Sequence, residues 1–357
     1  MIKPPFWTRA DYQTRKGDLP RLRLLRRLCT FAFLLAWGMS APFVAPVQAA
    51  EEAAFTKEPD AFRVLSWNVS QENFFRYAAE FRAFFTLCVP DILLLDEIPP
   101  GRGPAEVTSI LSAEKSEAAA WNAVIGVAGG HQRGAIASKY PLEAVAELDG
   151  LKYPAHAVAR LKPMVPESIW NERVKSSLDA GIPVMGAIVQ IKNRAVLAVT
   201  VDLQCCGNPT NNWPEFRRQI EAQETRSAIH RVLARRKVDA IVLAGDLNLV
   251  FSATPLAILT NPYPEPHFAL APVNAVHLDG TEVWTWDGRD SPFPSRPLDF
   301  SFFTPASLKP IRSLVLSTED FSRELLTPRG FESGTSRKLS DHLPILVDYR
   351  WQEPLRQ

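Results

Sequence analysis

The sequence predicts a mixed α/β (α+β) fold in which two β-sheets form a sandwich and helices flank its outer faces. The first observation behind this prediction is that short apolar runs alternate with amphipathic helical patterns along the chain. The second is that some runs are continuously apolar whereas others alternate, as expected for two packed sheets covered by helices. In addition, 46% of the 357 residues are hydrophobic, which excludes a disordered or collagen-like chain.

Strands are predicted where a short run is rich in Val, Ile, Leu and Phe and is bounded by polar or turn-forming residues. The predicted strands are Arg63–Val69, Asp91–Leu95, Asn122–Gly126, Gly134–Ser138, Val184–Ile191, Ala195–Leu203, Ala240–Ala244, Leu298–Phe303 and Leu343–Tyr349. Two of them flank Gly126, Gly129 and Gly130. We therefore interpret that glycine-rich segment as a hairpin turn and not as a phosphate-binding loop.

Helices are predicted in three segments between these strands. Glu72–Cys88 carries an apolar stripe at helical spacing. Pro214–Arg236 is a long charged helix with a proline in its first turn. Pro166–Ala180 is the third segment. Because no repeat or internal linker interrupts the body, we expect a linker at 50–59, one domain at 60–352 and a tail at 353–357.

The amino terminus has the pattern of a signal peptide over residues 1–49. A cluster of arginines precedes an uncharged, largely apolar run from Leu28 to Ala50, and the run ends in small residues at Val47-Gln48-Ala49. We expect cleavage after Ala49 and export to the periplasm or the medium. The same run is long enough to serve as an uncleaved membrane anchor. That alternative stays open, and a cleaved protein would have no stable membrane span.

The first 49 residues are strongly basic, so the rest of a chain with a formal net charge of +1 is mildly acidic. An acidic body argues against non-specific polyanion binding as the main task, because such binding needs many basic residues on one face. It does not exclude cleavage of a phosphate ester at one local site.

Three cysteines remain after the predicted signal peptide: Cys88, Cys205 and Cys206. That is an odd number for an oxidising compartment. A disulfide between Cys88 and one of the other two is one interpretation, and small residues in the core are the other. The sequence leaves both open, and it shows no cysteine or histidine spacing typical of zinc.

Polar residues close several of the apolar runs, and these residues are the candidates for chemistry. Glu97 and Asp341 offer hard oxygen ligands that suit Mg²⁺, Mn²⁺ or Ca²⁺. Asp246 and Asn248 are two residues apart, so an extended backbone places them on one face. His342 directly follows Asp341 and adds an acid–base group. A divalent cation, a positioned water and a donor to the phosphoryl oxygens are what phosphoester hydrolysis needs.

These groups occur in six motifs in a fixed order along the chain. The motifs are Leu65-Ser66-Trp67-Asn68, Pro90–Glu97, Gly134–Pro141, Gly245-Asp246-Leu247-Asn248, Leu298–Phe303 and Ser340–Pro344. Their order resembles that of the endonuclease/exonuclease/phosphatase superfamily, the DNase I-like metal-dependent phosphoesterases. The resemblance covers residues 63–349 and implies a DNase I-like architecture of four layers.

The resemblance also implies roles for individual residues. Glu97, Asn68 and Asp341 would hold the metal. Asp246 would orient or deprotonate the attacking water, and Asn248 would hold that water or the phosphate. His342 would act on the scissile phosphate, and Asp299 would accept the second N–H of its ring, which fixes the tautomer and raises the pKa of the imidazole.

One residue departs from the family pattern. Asp202 lies where the resemblance implies a His or a Tyr next to the phosphate. It would bind a second metal, contact a cationic or hydroxylated part of the substrate, or mark lost activity. Gln204, His131 or Arg133 would then supply the missing donor. Ser70 is a smaller departure, since some relatives carry an Asp there as an extra metal contact.

The predicted function is therefore an exported phosphoesterase that depends on Mg²⁺, Mn²⁺ or Ca²⁺ and acts as a monomer. Its substrate class is open among nucleic acid, phospholipid and small-molecule phosphate. The stretch at 143–183 would build a compact pocket for a small molecule. A non-catalytic or altered-chemistry binding protein on the same scaffold is the alternative, and Asp202 is the residue that favours it.

Overall fold

Two β-sheets lie at the centre of the computed structural model, which describes residues 51–112, 120–206, 210–264 and 266–353. Within this part of the chain, one sheet has seven strands in the order β10-β12-β13-β1-β2-β4-β3, and the other has six in the order β5-β6-β7-β8-β11-β9. The strands are β1 Phe62–Asn68, β2 Ile92–Ile98, β3 Asn122–Ile125, β4 Arg133–Ser138, β5 Leu142–Ala144, β6 Val184–Ile191, β7 Arg194–Asp202, β8 Ala240–Asp246, β9 Ala271–Pro272, β10 Val276–His277, β11 Asp299–Phe303, β12 Leu308–Val315 and β13 Ile345–Trp351.

The two sheets pack face to face through alternate side chains of their central strands. Ile92 and Leu94 of β2 share one apolar cluster with Val242 and Ala244 of β8. The residues between them in sequence, such as Leu93 and Leu95, point to the opposite face. Because both faces of these strands are buried, their sequences are apolar without interruption.

Helices cover both outer faces, so the structure has the four layers and the mixed α/β architecture that the sequence predicts. On the seven-stranded sheet the apolar cluster contains side chains from α1, α2, α3, α9 and α10, and on the six-stranded sheet it contains side chains from α4 to α8. The helices are α1 Glu72–Arg76, α2 Ala78–Cys88, α3 Pro104–Leu111, α4 Ala155–Leu161, α5 Glu167–Ile169, α6 Lys175–Asp179, α7 Trp213–Leu233, α8 Thr254–Thr260, α9 Arg323–Leu326 and α10 Thr335–Leu339.

Two predicted helices are interrupted. The segment predicted as one helix over Glu72–Cys88 divides at Tyr77, which leaves the helical conformation at φ −107° and ψ 37°. Its N–H still bonds to Asn73 O, and its carbonyl accepts from Phe81 N, so one residue closes α1 and opens α2. The third predicted helix contains a π-helical turn at Trp170–Val174 between α5 and α6.

The hairpin predicted around the glycine-rich segment is present, since β3 and β4 pair in antiparallel register on either side of it. The long predicted helix is α7, which starts at Trp213, and its N-cap Asn212 accepts a hydrogen bond from Glu215 N at 3.2 Å. Strands β5, β9, β10 and β12 were not predicted. Three of them are two or three residues long, and β12 carries Pro310 and charged residues that hide its pattern.

The register of the strands brings polar residues of both sheets to one end of the sandwich. Asp202 pairs with Asp246 across parallel β7 and β8, and Asp299 pairs with the same Asp246 across antiparallel β8 and β11. In the other sheet, Asn68 of β1 is level with Asp96 of β2. The candidate residues therefore meet because their strands end together.

The signal peptide predicted at 1–49 and its cleavage site lie outside the described residues, as does most of the predicted tail. The boundaries of the predicted domain at 60–352 stay a prediction. Among the residues that the structure describes, no helix combines the length and the apolar character that a bilayer crossing requires.

Candidate active site

Three buried side chains from three different elements converge at the end of the sandwich. His342 precedes β13, Asp246 ends β8 and Asp299 begins β11. His342 Nδ1 is 2.8 Å from Asp299 Oδ2, and His342 Nε2 is 3.7 Å from Asp246 Oδ2. Because a carboxylate only accepts hydrogen bonds, His342 Nδ1 donates to Asp299. Its other ring nitrogen is thereby directed towards Asp246.

The backbone of His342 is fixed independently of its ring. Its N–H donates to Ser340 Oγ at 3.0 Å, and its carbonyl accepts from Trp67 Nε1 at 2.8 Å. Asp299 is held in a similar way, since its backbone N–H donates to Thr285 Oγ1 at 2.9 Å. The imidazole and its carboxylate are therefore positioned by contacts from separate elements.

Asn248 is bound directly to Asp246. Its Nδ2 donates to Asp246 Oδ2 at 2.8 Å and to Leu203 O at 2.9 Å, and its backbone N–H donates to Asp246 Oδ1 at 2.8 Å. Asn248 adopts a left-handed backbone with φ 51°, a conformation that asparagine tolerates better than most residues. Since both amide hydrogens are engaged, the group that Asn248 offers to a ligand is its side-chain carbonyl oxygen.

Gly245 allows the two strands at the centre of the site to approach closely. Its φ is 140°, and a Cβ atom at this position would lie 2.0 Å from Val201 O of the neighbouring strand. No side chain fits this space. The glycine therefore sets the direction in which the adjacent Asp246 leaves β8.

Asp96 links the two sheets beneath the site, and the sequence analysis gave it no role. It is fully buried, accepts from Thr200 Oγ1 of β7 at 3.0 Å, and accepts from the backbone N–H of Asp246 at 3.2 Å. Its position directly before Glu97, at the end of an apolar run, was the available signal.

Glu97 lies at a β-bulge of β2, where the pairing with β4 shifts between Leu95 and Ile98. Its φ of 60° is in the left-handed region, which is unfavourable for glutamate and turns the side chain out of the regular alternation. Its Oε1 accepts a hydrogen bond from Asn68 Nδ2 at 3.2 Å. The structure thus brings together two of the three residues proposed to hold the metal.

Asp341, the third of these residues, is exposed and is connected to Asn68 through Ser70. Ser70 Oγ donates to Asp341 Oδ1 at 3.0 Å, and Ser70 N donates to Asn68 Oδ1 at 3.1 Å. Trp286 Nε1 donates to Asp341 Oδ2 at 3.0 Å. Ser70, one of the departures from the family pattern, therefore bridges two of these residues, and Trp286 is a further neighbour that the sequence analysis did not name.

Asp202 is buried opposite Asp246. Its Oδ2 accepts from Gln132 Nε2 at 3.0 Å, whereas its Oδ1 is a buried oxygen without a hydrogen-bond partner in the structure. The Nε and Nη2 atoms of Arg133 donate to the backbone carbonyls of Ile98, Pro99 and Arg102 and so support the loop after Glu97.

The electrostatics of the site follow from this concentration of acids. Burial raises the pKa of Asp246, and the charge of Asp299 adds to this effect while His342 opposes it. Burial likewise raises the pKa of Asp96, Asp202 and Glu97, with neighbouring carboxylates contributing. Burial alone would lower the pKa of His342, but the charges of Asp299 and Asp246 outweigh it and raise that pKa well above its ordinary value.

The donor set fits a hard divalent cation. The ligand atoms of Asp246, Asp299 and His342 lie within 4.8 Å of one another, but a His342 ring that is protonated on both nitrogens has no lone pair for a metal, so the oxygen atoms of the site are the donors open to a cation. No lysine or arginine in the described part of the chain forms an ion pair with any of the six carboxyl groups, so a cation would relieve an evident excess of negative charge. These six are Asp96, Glu97, Asp202, Asp246, Asp299 and Asp341.

The comparisons with known proteins agree with this geometry. A sequence model described as "Endonuclease/Exonuclease/phosphatase family" matches residues 65–342. The chain belongs to this family. Its members are metal-dependent phosphoesterases that include nucleases and phosphatases, and they generally use divalent metals. No curated protein matches the chain.

Solved structures with the same fold have low sequence identity. The crystal structure of TDP2 from C. elegans is 14% identical, with a TM-score of 0.51 over 86% of this chain and 80% of that chain. The human Nocturnin catalytic domain with bound sulfate anion is 13% identical, with a TM-score of 0.50 over 82% of this chain and 94% of that chain. These similarities confirm the DNase I-like fold of this family member.

Proposed function

We propose that this family member is an exported hydrolase that uses a divalent cation to cleave a phosphodiester or a phosphomonoester. The single observation that carries the proposal is the buried His342–Asp299 pair facing Asp246, with both nitrogens of the ring directed at carboxylates. Such an arrangement holds a cationic imidazole where negative charge would develop on a phosphoryl group. The apolar run at 28–50 supports export.

The proposed reaction is the attack of water on phosphorus with departure of the ester oxygen. Asp246 accepts the proton of the water, and its raised pKa makes its carboxylate a stronger base than an exposed aspartate. The carbonyl oxygen of Asn248 accepts a hydrogen bond from the same water, because its amide hydrogens are already engaged. His342 Nε2–H donates to a phosphoryl oxygen.

Glu97, Asn68 and Asp341 would hold the divalent cation. When bound, it would neutralise charge on the phosphoryl oxygens. Oxygen donors of this kind favour Mg²⁺, Mn²⁺ or Ca²⁺. The contacts that support this assignment are the Asn68–Glu97 hydrogen bond and the Ser70 bridge to Asp341.

Asp202 takes the place of a donor in this proposal. Its Oδ1 is buried without a partner, and an ionised carboxylate there would face Asp246 without a paired lysine or arginine of its own. Asp202 therefore acts as a neutral acid whose O–H donates to the substrate. This replaces the His or Tyr of the family pattern without a loss of function.

The first experiment is a hydrolysis assay with bis-p-nitrophenyl phosphate and p-nitrophenyl phosphate in Mg²⁺, Mn²⁺, Ca²⁺ or EDTA. We expect release of p-nitrophenolate that requires a divalent metal. The rate should fall strongly in Glu97→Gln, because this variant lacks a carboxylate that would hold the metal. The exposed Glu324→Gln variant is the matched control and should behave as the parent. A rate of p-nitrophenolate release in EDTA, or by Glu97→Gln, that equals the rate of the parent protein with metal would contradict the proposal. The preferred ester narrows the substrate class.

A further inference from the structure

Cys205 and Cys206 form a pair of neighbouring exposed thiols directly after β7. Their sulfur atoms are 2.8 Å apart and in hydrogen-bond contact. Cys206 has a φ of 67°, so the backbone turns within the pair and places both side chains on one side. Adjacent thiols in contact on the surface are suited to reaction with each other.

The backbone on both sides of Cys205 is held in place. Arg218 Nη1 of α7 donates to Gln204 O at 2.9 Å and to Cys206 O at 2.8 Å. Gln204 N donates to Glu221 Oε2 at 2.6 Å. Since Arg218 and Glu221 are both buried on α7, the segment that carries the thiols is anchored to a rigid helix.

Cys88, in contrast, is not available to either thiol. It lies at the end of α2 in the apolar cluster on the outer face of the seven-stranded sheet, whereas the thiol pair follows a strand of the six-stranded sheet. Burial raises the pKa of the Cys88 thiol, which makes it inert. Of the three cysteines that follow the predicted signal peptide, one is therefore a buried thiol and two form a pair at the surface.

We propose that Cys205 and Cys206 are a redox site that forms a reversible disulfide between adjacent residues. Both thiols lose their hydrogen atoms to a disulfide oxidant, which is reduced to two thiols, and the Sγ–Sγ bond forms. The hydrogen bond with Cys205 and the charges of Arg173 and Arg218 lower the pKa of Cys206 to about 6, despite partial burial. The Cys206 thiolate is the nucleophile that attacks the oxidant first.

The bond would be easy to reduce. Adjacent Cα atoms are about 3.8 Å apart across a trans peptide, which is shorter than the spacing of about 4.4–6.8 Å in ordinary disulfides. Strained, exposed disulfides have more oxidising potentials and are the labile ones. The pair therefore changes state with the surrounding thiol–disulfide balance, whereas a structural disulfide would persist.

The test is a thiol count on the purified protein after glutathione disulfide, with denaturation and alkylation by iodoacetamide. We expect alkylation of Cys88 but of neither Cys205 nor Cys206, a mass lower by two hydrogen atoms before alkylation, and recovery of the Cys205 and Cys206 thiols after dithiothreitol. Peptide mapping should place the bond within one peptide. Alkylation of both Cys205 and Cys206 after oxidation, or a bond to Cys88 or to a second chain, would overturn the proposal.

Three variants complete the design. Cys88→Ser should form the same bond. Cys205→Ser should instead retain glutathione as a mixed disulfide at Cys206, because the resolving partner is gone, and Cys206→Ser should be glutathionylated more slowly, because the thiol that attacks first is gone. A Cys205→Ser protein whose Cys206 is not glutathionylated would show that this thiol is unreactive and would also overturn the proposal. Thermal unfolding of each variant establishes that it is folded.

Discussion

A substitution at His342 can test catalysis without disturbing the fold, because the ring and the backbone of this residue have different partners. The backbone contacts with Ser340 and Trp67 survive a His342→Ala change, whereas the ring contact with Asp299 is lost. We expect turnover of the model ester to fall by at least ~10²-fold if the ring stabilises phosphoryl charge. Steady-state kinetics measure this, and turnover within error of the parent would remove His342 from the mechanism.

The same residue gives turnover a pH dependence. The pKa of His342 is raised by Asp299 and Asp246 despite burial, so the imidazolium persists above its ordinary range, and turnover that needs it is lost as pH rises through that pKa. Asp299→Asn keeps a hydrogen-bond partner and removes the charge. In this variant, the fall of turnover at alkaline pH should therefore begin at a lower pH than in the parent. A pH–rate profile measures this, and an unchanged profile would assign the titration to another group.

Asp202 makes a different prediction, because the proposal needs a donor at this position and not a charge. Asp202→Asn can donate from its amide, so we expect it to keep most of the turnover, as should Asp202→His. Asp202→Ala removes the donor and should lose about 10²–10³-fold, the usual cost of removing one hydrogen-bond donor to the reacting group. Turnover that is lost equally in Asn and Ala variants would show that the carboxylate itself is needed.

At the scale of the elements, the position of Asp246 depends on how closely β7 and β8 approach. Gly245→Ala would place a Cβ atom 2.0 Å from Val201 O at a φ of 140°, so the strands must separate or the backbone must change. We expect a loss of at least about 1–3 kcal/mol in the free energy of unfolding. Urea denaturation measures it. Gly334→Ala, which meets nothing within 4 Å, is the control and should be close to neutral.

The strands and their polar ends could be predicted because their signal is local. An apolar run closed by Asp96-Glu97, or by Gly245-Asp246, marks a buried strand that stops at a polar edge. The break at Tyr77 could not be predicted, since the apolar stripe continues through it and only the backbone changes. The left-handed backbones of Glu97 and Asn248 could not be predicted from the sequence either, because packing imposes this conformation against the preference of the residue.

The site itself was predictable as a list of residues but not as a set of contacts. The resemblance named Asp299 as the partner of His342, and they are 2.8 Å apart. It did not indicate Asp96, whose hydrogen bonds join β2 of one sheet to β7 and β8 of the other. Contacts between sheets depend on how the layers pack, which has no periodic trace in the sequence.

For the whole molecule, the buried acids are a source of instability that a cation would remove. The folded-state pKa values of Asp96, Glu97, Asp202 and Asp246 are all raised, chiefly by burial. The unfolded chain therefore loses these protons first as pH rises. The contribution of these four acids to the stability of the metal-free protein should be fully present below the ordinary carboxyl range of about 4 and should be lost as pH rises through the raised values.

A divalent cation should reverse this trend. It binds the folded state, competes with the proton of Glu97 and offsets the charge of the neighbouring acids, so its stabilising effect should grow with pH. At a free concentration of 100 times Kd it adds about 2.7 kcal/mol to the free energy of unfolding. Thermal unfolding with Mg²⁺, Mn²⁺ or EDTA across pH 5–8 should show a rise in Tm with metal that is largest at the alkaline end and is diminished in Glu97→Gln. A rise of equal size in that variant would locate the cation elsewhere in the protein.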